Sequence, residues 1–93
     1  MKKTVGSVIR RARKAQVAVI VGPDGTILAI VDLPKLPGLD EMRALTKPFG
    51  TCALSIYARG EYTADFVEKR IRSAVEGIEL DAQGLLEPGA NCL

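Results

Sequence analysis

The residues best suited to bind a ligand in this sequence are cationic and lie close to its N-terminus. Six of the thirteen basic residues fall within residues 1–14, and the first acidic residue is Asp24. Clustered lysine and arginine side chains displace counterions from a nucleic-acid backbone without requiring a particular base sequence. We therefore predict contacts with nucleic acid, or with another polyanion such as an acidic protein surface, from Lys2, Lys3, Arg10, Arg11, Arg13 and Lys14.

The charge is unevenly distributed along the chain. Residues 1–14 carry a formal charge of +6 and the remainder −4, which give the net +2 of the whole sequence. Two other interpretations of the basic segment stay open, namely a membrane surface and the solvated side of a packed helix. Gly6, Ser7 and the lack of large aromatic side chains favour weak insertion, so no membrane partner is expected.

Aromatic residues are scarce, with two tyrosines, two phenylalanines and no tryptophan. Proteins that bind single-stranded nucleic acid usually present aromatic rings on which bases stack. At most Tyr57 and Tyr62 could serve here, which weakens a base-stacking interpretation.

The side chains needed for most catalytic sites are missing. The sequence has no histidine, so it cannot form a Ser–His or Cys–His nucleophile pair. Its glycines are isolated at turns and form no phosphate-binding loop motif. Asp24, Asp32, Asp40 and Glu41 are each explained by a turn, a strand end or a helix start. We expect no enzymatic activity, no small-molecule substrate and no cofactor.

The two cysteines and the apolar segments indicate the compartment. Cys52 and Cys92 lie far apart in a chain without histidine, which excludes the usual zinc spacings and a disulfide framework, so no metal is expected. The longest apolar stretch, residues 17–21, is far shorter than the ~20 residues of a membrane span. No signal peptide is recognisable. We expect a cytoplasmic protein.

The basic residues are predicted to lie on a helix. Val5, Val8, Ile9 and Ala12 repeat with the spacing of one helical face, so residues 4–15 are expected to form a helix with an apolar stripe opposite its cations. A helix of this kind would pack on a sheet and leave its basic side in solvent.

The sheet is predicted from a hairpin at about residues 16–32. Two β-branched runs, residues 17–21 and 26–31, are joined by Gly22-Pro23-Asp24-Gly25. Proline presets the first turn dihedral, aspartate binds its own backbone, and glycine takes a positive φ. Both runs are apolar on both faces, so each face of the hairpin must be covered.

Further elements follow the hairpin. Residues 39–46 form a short helix that Lys47-Pro48 ends, and residues 51–59 alternate as a half-buried strand. A second amphipathic helix is expected at about residues 63–77, with Gly77 as its end. Leu85-Leu86 is a candidate fourth strand.

The predicted fold class is therefore α+β, as a single domain over residues 1–93 with frayed ends at 1–4 and 88–93. A small, mainly antiparallel sheet of three or four strands is packed by the N-terminal basic helix and by the helix at 63–77. Opposite placement of these helices would cover both sheet faces. Placement on one face would leave an apolar patch, and a homodimer would follow, which we slightly favour.

One family layout is similar. Asp24-Gly25 after a strand, Asp32-Leu33-Pro34 at the end of the next, and Gly60-Glu61 before an amphipathic helix resemble HicB-type antitoxins over about residues 17–80. The loop and short helix of residues 35–50 interrupt the layout. The resemblance implies an interaction module that blocks a protein.

Two functions are thus predicted. The first is a small, non-catalytic regulatory protein that binds nucleic acid or another polyanion through its basic N-terminal helix. The alternative is a protein–protein inhibitor or antitoxin-like module that acts through an apolar sheet face or an exposed sheet edge.

Overall fold

The computed structural model describes residues 3–82. The frayed end predicted at 88–93 and the candidate strand Leu85-Leu86 lie outside the described residues. The elements are α1 (Val5–Ala12), β1 (Gln16–Val21), β2 (Ile27–Leu33), α2 (Leu39–Thr46), a 3-10 turn (Lys47–Phe49), β3 (Ala53–Tyr57) and α3 (Ala64–Ala82). This arrangement confirms the predicted α+β class.

The sheet has the order β2-β1-β3, and β1 is antiparallel to both neighbours. The predicted hairpin joins β1 to β2. At its turn, the Gly25 amide donates to the Gly22 carbonyl at 3.0 Å, and the Thr26 amide donates to Asp24 Oδ1 at 3.0 Å. Gly25 has a φ of +83°, which an L side chain rarely adopts. The turn chemistry expected from Pro-Asp-Gly is confirmed.

Helices α1 and α3 lie on the same face of the sheet, which we call the helix face. Val17, Val19 and Val21 of β1 form its core with apolar residues of both helices, including Val8 and Val67, all fully buried. Placement of both helices on one face was expected to leave an apolar patch on the opposite face of the sheet. Helix α2 covers part of that opposite face.

The opposite face, which we call the α2 face, is built on a smaller cluster. Ala18 and Ile20 of β1 are fully buried there, and Met42 and Leu45 of α2 pack over them. The cover reaches β1 and β3 but not all of β2. Four β2 residues on this face are therefore only half-buried, namely Leu28, Ala29, Val31 and Leu33.

Strand β3 differs from its predicted half-buried character. Leu54 and Tyr57 are each 1% exposed although they point to opposite faces. The strand is covered by α3 on one side and by α2 on the other. The alternation in the sequence indicated one apolar face, but small or aromatic side chains on the second face are buried as well.

Helix α3 is longer than predicted, because it continues through Gly77 to Ala82. Glycine within a helix costs about 1 kcal/mol relative to alanine. The apolar stripe outweighs that cost, since Ile71, Ala74 and Ile78 are all buried against the sheet. Tertiary packing therefore sets the length of this helix. Across residues 3–82, none of the helices is both long and apolar enough to cross a membrane.

Candidate nucleic-acid interface

Helix α1 positions the cations predicted to bind a polyanion. Thr4 caps it, because Thr4 Oγ1 accepts a hydrogen bond from the Ser7 amide at 3.2 Å. Val8 and Ala12 are fully buried on the sheet, as the predicted stripe requires. The predicted site residues then divide by position. Lys2 lies outside the described residues, Arg11 is half-buried, and the exposed ones are Lys3, Arg10, Arg13 and Lys14.

Arg10 is exposed but its guanidinium is directed toward the N-terminal turn of α1. Its Nη2 donates to Ser7 Oγ at 3.3 Å. The guanidinium lies beside Gly6, where a Cβ added to that glycine would stand 3.4 Å from Nη1. Arg10 therefore extends away from the C-terminal end of the helix, where Arg13 and Lys14 lie.

Arg11 is held by the sheet. Its Nη2 lies 2.8 Å from Asp32 Oδ1, and its Nε donates to the same oxygen at 3.0 Å. Asp32 faces the helices because it pairs with Val17, whose side chain lies in the helix-face core. The ion pair joins α1 to β2 and offsets part of the Arg11 charge. Arg11 therefore acts more as a tie between elements than as an exposed cation.

A backbone hydrogen bond brings a further arginine to the end of α1. The Gly60 amide donates to the Ala12 carbonyl at 2.8 Å, so the backbones of the adjacent residues Arg59 and Arg13 lie close to each other. Arg59, Arg13 and Lys14 are all exposed. We call these three residues the basic end.

The sheet register places the basic end at one edge of the fold. The first residues of β1 pair with the last residues of both neighbours, as Gln16 with Leu33 and Val17 with Tyr57. Lys35, which is also exposed, follows β2 at the same end. Arg59 was not among the predicted site residues. The sequence places Arg59 at the end of the strand predicted at residues 51–59, but its position beside the start of β1 follows only from the antiparallel pairing of that strand with β1.

An aromatic group continues from the core to the surface beside Arg59. Tyr57 and Tyr62 meet edge to face with ring centroids 5.4 Å apart. Tyr62 then stacks on Phe66 at 5.3 Å with an interplanar angle of 24°. Tyr62 is half-buried, whereas Phe66 remains 42% exposed. Among these three rings, exposure to solvent increases from Tyr57 through Tyr62 to Phe66.

Arg70 stabilises this group rather than adding a cation to the basic end. Its Cζ lies 4.7 Å from the Tyr57 ring centroid, and its Nη2 donates to the Ile56 carbonyl at 3.1 Å. Burial raises the pKa of the Tyr57 phenol, and the charge of Arg70 opposes that rise. Tyr57 is only 1% exposed, so of the two tyrosines considered for base stacking it is not accessible.

Other features of the described residues lie apart from the basic end. A shallow groove at the hairpin turn is lined by Val5, Gly25, Glu68, Ile71 and Arg72. Within residues 3–82, no group of three or more Asp, Glu or Cys side chains is placed to hold a metal ion.

Comparison of the chain with protein-family models, curated proteins and solved structures found no match. The layout similarity to HicB-type antitoxins therefore stays a prediction, and functional inference depends on the geometry of the described residues.

Proposed function

We propose that this protein is a non-catalytic regulatory protein that binds nucleic acid or a similar polyanion at the basic end and the adjoining surface of α1. The observation that carries the proposal is the 2.8 Å hydrogen bond between the Gly60 amide and the Ala12 carbonyl. It brings Arg59 to the two cations that end α1. Cations from distant parts of the sequence thus form one exposed surface.

The charges at this surface are suited to a polymer of phosphates. Arg13, Lys14 and Arg59 are exposed, and Arg10 and Lys3 extend the basic surface along α1. Exposed side chains lose little hydration when they contact phosphates, and the gain comes mainly from counterion release. The arrangement supports binding that depends on backbone charge more than on base identity.

The proposal predicts a salt-dependent loss of affinity in a triple variant. We expect Arg13→Gln, Lys14→Gln and Arg59→Gln together to weaken binding to a labelled oligonucleotide. The slope of log K against log[salt] is negative, and each lost phosphate contact should reduce its magnitude by about 0.7–0.9. Fluorescence anisotropy between roughly 50 and 200 mM salt measures both quantities.

A control variant with the same change in net charge tests whether position matters. Arg43, Lys47 and Arg72 are exposed on α2, the 3-10 turn and α3, outside the basic end. Their replacement by glutamine should leave the salt slope nearly unchanged. Equal losses in the two triple variants would reject a localised site, and unchanged affinity in both would reject the proposal.

A second candidate function is supported by the α2 face. Among residues 3–82, no strand pairs with the outer edge of β2, because the sheet order ends at β2. Its Val31 and Leu33 are half-buried, and Leu36 and Leu39 beyond the strand are 68% and 56% exposed. An apolar face beside a free edge is typical of sites that bind another chain. A stoichiometric protein partner that is retained after nuclease treatment would favour this inhibitor-like function.

A further inference from the structure

We infer that the Tyr62–Phe66 stack is a platform for an unpaired base, and that the polyanion bound at the basic end is a single-stranded nucleic acid. This inference rests on the proposed polyanion binding and names its substrate class. It is carried by the geometry of the two rings, by the hydrogen bonds that hold their segments in place, and by the position of Arg59 between the rings and α1.

The first observation is the exposed ring of Phe66. Phe66 is 42% exposed, with Tyr62 stacked 5.3 Å away at an angle of 24° and the Arg70 Cζ 5.8 Å from its ring centroid. The exposed part of the ring is the surface on which a further planar group would stack. A nucleobase has the planar shape and the π-face that continue such a stack.

The second observation is that the platform is held in place before any ligand binds. Tyr62 Oη donates to the Ala58 carbonyl at 2.7 Å. The Phe66 amide donates to Thr63 Oγ1 at 3.2 Å in the first turn of α3. The Tyr62 ring is therefore tied to the end of β3, and the backbone that carries Phe66 is held in the first turn of α3. A fixed ring loses less conformational entropy when a base stacks on it.

The third observation is the position of Arg59 between the platform and α1. The Ala58 carbonyl holds Tyr62, and the Gly60 amide holds Ala12, so the residue between them is anchored on both sides. A strand whose base stacks on Phe66 would pass its phosphates by Arg59 toward α1. Charge and stacking are thus combined on one surface, as in proteins that bind single strands without strong sequence preference.

The acidic residues near Tyr62 and Phe66 do not cancel the positive charge of the basic end. Asp65 is paired with Lys69 at 3.0 Å, which offsets its charge. Glu61 is exposed in the loop between Arg59 and Tyr62. It disfavours an approaching phosphate, and Glu61→Gln should strengthen binding by roughly 2-fold or more at low salt.

Single strands fit this surface better than duplexes or acidic polymers without bases. In a duplex the bases are stacked on one another, so a protruding platform has no free base to bind. A polymer such as heparin offers charge to the basic end but no planar ring to Phe66. The predicted preference is therefore for single strands over duplex, with the difference lost when the ring is removed.

The experiment uses the full chain and two matched probes. One is a fluorescein-labelled oligothymidylate of roughly 12 nucleotides, and the other has the same backbone without bases. We expect Phe66→Ala to weaken binding to the oligothymidylate by roughly 5- to 100-fold, and binding to the abasic strand by less than about 2-fold. Phe49→Ala is the matched control, because Phe49 is 36% exposed in the 3-10 turn, outside the basic end.

A second variant keeps the test valid should Phe66→Ala reduce stability. The sequence contains no tryptophan, so Phe66→Trp introduces a single fluorophore at the platform. Its emission should be quenched by the oligothymidylate and unchanged by the abasic strand. Quenching with both probes, or with neither while both bind, would overturn the stacking assignment.

The remaining outcomes separate this inference from the proposed function. Equal affinity of the unchanged protein for oligothymidylate, abasic strand and duplex would refute stacking and leave polyanion binding intact. Binding to none of them would refute both. Sedimentation with anionic phospholipid vesicles that depends on Phe66, without oligothymidylate binding, would reassign the surface to a membrane and overturn the inference.

Discussion

The two faces of the sheet are covered in different ways. The helix face is closed by two helices that meet over β1, and its core includes Ile27 and Ile30 of β2, each 7% exposed. The α2 face is closed by one short helix, and there β2 is only half-buried. Residues 17–21 of the central strand are fully buried on both sides. The two faces therefore differ in how completely they bury the edge strand β2, and not in how completely they bury the central strand β1.

This difference also separates charge and polarity. The buried cluster of the helix face includes Tyr57, and Arg70 lies over its ring. The buried cluster of the α2 face consists of Ala18, Ile20, Cys52 and Leu54. The candidate interface adjoins the helix face. Helix α1 covers that face, and the C-terminal end of α1 is bonded to the segment that carries Arg59. The second candidate function instead proposes contacts between the α2 face and another protein chain.

Truncation of adjacent β2 residues should give the largest difference between the faces. Ile30 points to the helix face and Val31 to the α2 face. We expect Ile30→Ala to lower the free energy of unfolding by about 2–5 kcal/mol, because it leaves a cavity in a closed core. Val31→Ala should cost only about 1 kcal/mol, since the side chain is half-exposed already.

Urea denaturation at two protein concentrations measures both costs. The two sites are neighbours in one strand, so differences in backbone propensity are small. A cost for Val31→Ala that equals that of Ile30→Ala, and that grows with protein concentration, would show that a second copy covers the α2 face. The predicted homodimer would then use this surface.

Alkaline pH should weaken the helix face selectively. Burial raises the pKa of the Tyr57 phenol above its ordinary value of 10.0. The unfolded chain therefore loses this proton at a lower pH than the folded protein, so stability is retained below about pH 10 and is lost as the pH rises from there through the folded pKa. Tyr57→Phe should remove that loss.

The same variant tests the buried hydroxyl at neutral pH. Tyr57 Oη has no hydrogen-bond partner among the described residues. Its removal should change the free energy of unfolding by less than about 1 kcal/mol, because no hydrogen bond is broken. Thermal melts at pH 7 and above pH 10 provide the comparison. A large loss at pH 7, with the alkaline dependence unchanged, would contradict this assignment.

The smallest effect is expected at the ion pair that ties α1 to β2. The side chains of Arg11 and Asp32 are 29% and 56% exposed, so solvent screens their attraction. We expect Asp32→Ala to destabilise the protein by about 0.2–1 kcal/mol, and less at high salt. It should also strengthen oligonucleotide binding slightly, because it removes a negative charge close to the basic surface. Weaker binding would indicate that the tie positions α1 for the ligand.

Much of the fold follows from local signals in the sequence. The hairpin turn depends on Gly25, which takes a positive φ without strain. The periodicity of α1 predicts the burial of Val8 and Ala12, whereas Val5 and Ile9 of the same stripe are half-buried and the burial of Ser7 was not predicted. Helix α2 begins and ends where the sequence indicates. These signals act within a few residues, so composition and spacing are sufficient to find them.

The features that were missed depend on contacts between distant segments. Gly77 predicts the end of a helix, but Ile78 packs into the core and the helix continues. Arg59 and Phe66 gain their significance only when β3 pairs with β1 and α3 docks beside it. Likewise, the pairing of Arg11 with Asp32 requires the register of β2 against β1. The spacing of residues within one segment does not indicate contacts with segments that are distant in the sequence.

The link between Gly60 and Ala12 has a consequence for protein synthesis. Translation makes α1 before Arg59, so the basic end cannot form until the chain has been made through Gly60. Until then the cations of α1 are not joined to the cation that follows β3, and selective binding at this surface can begin only after that point.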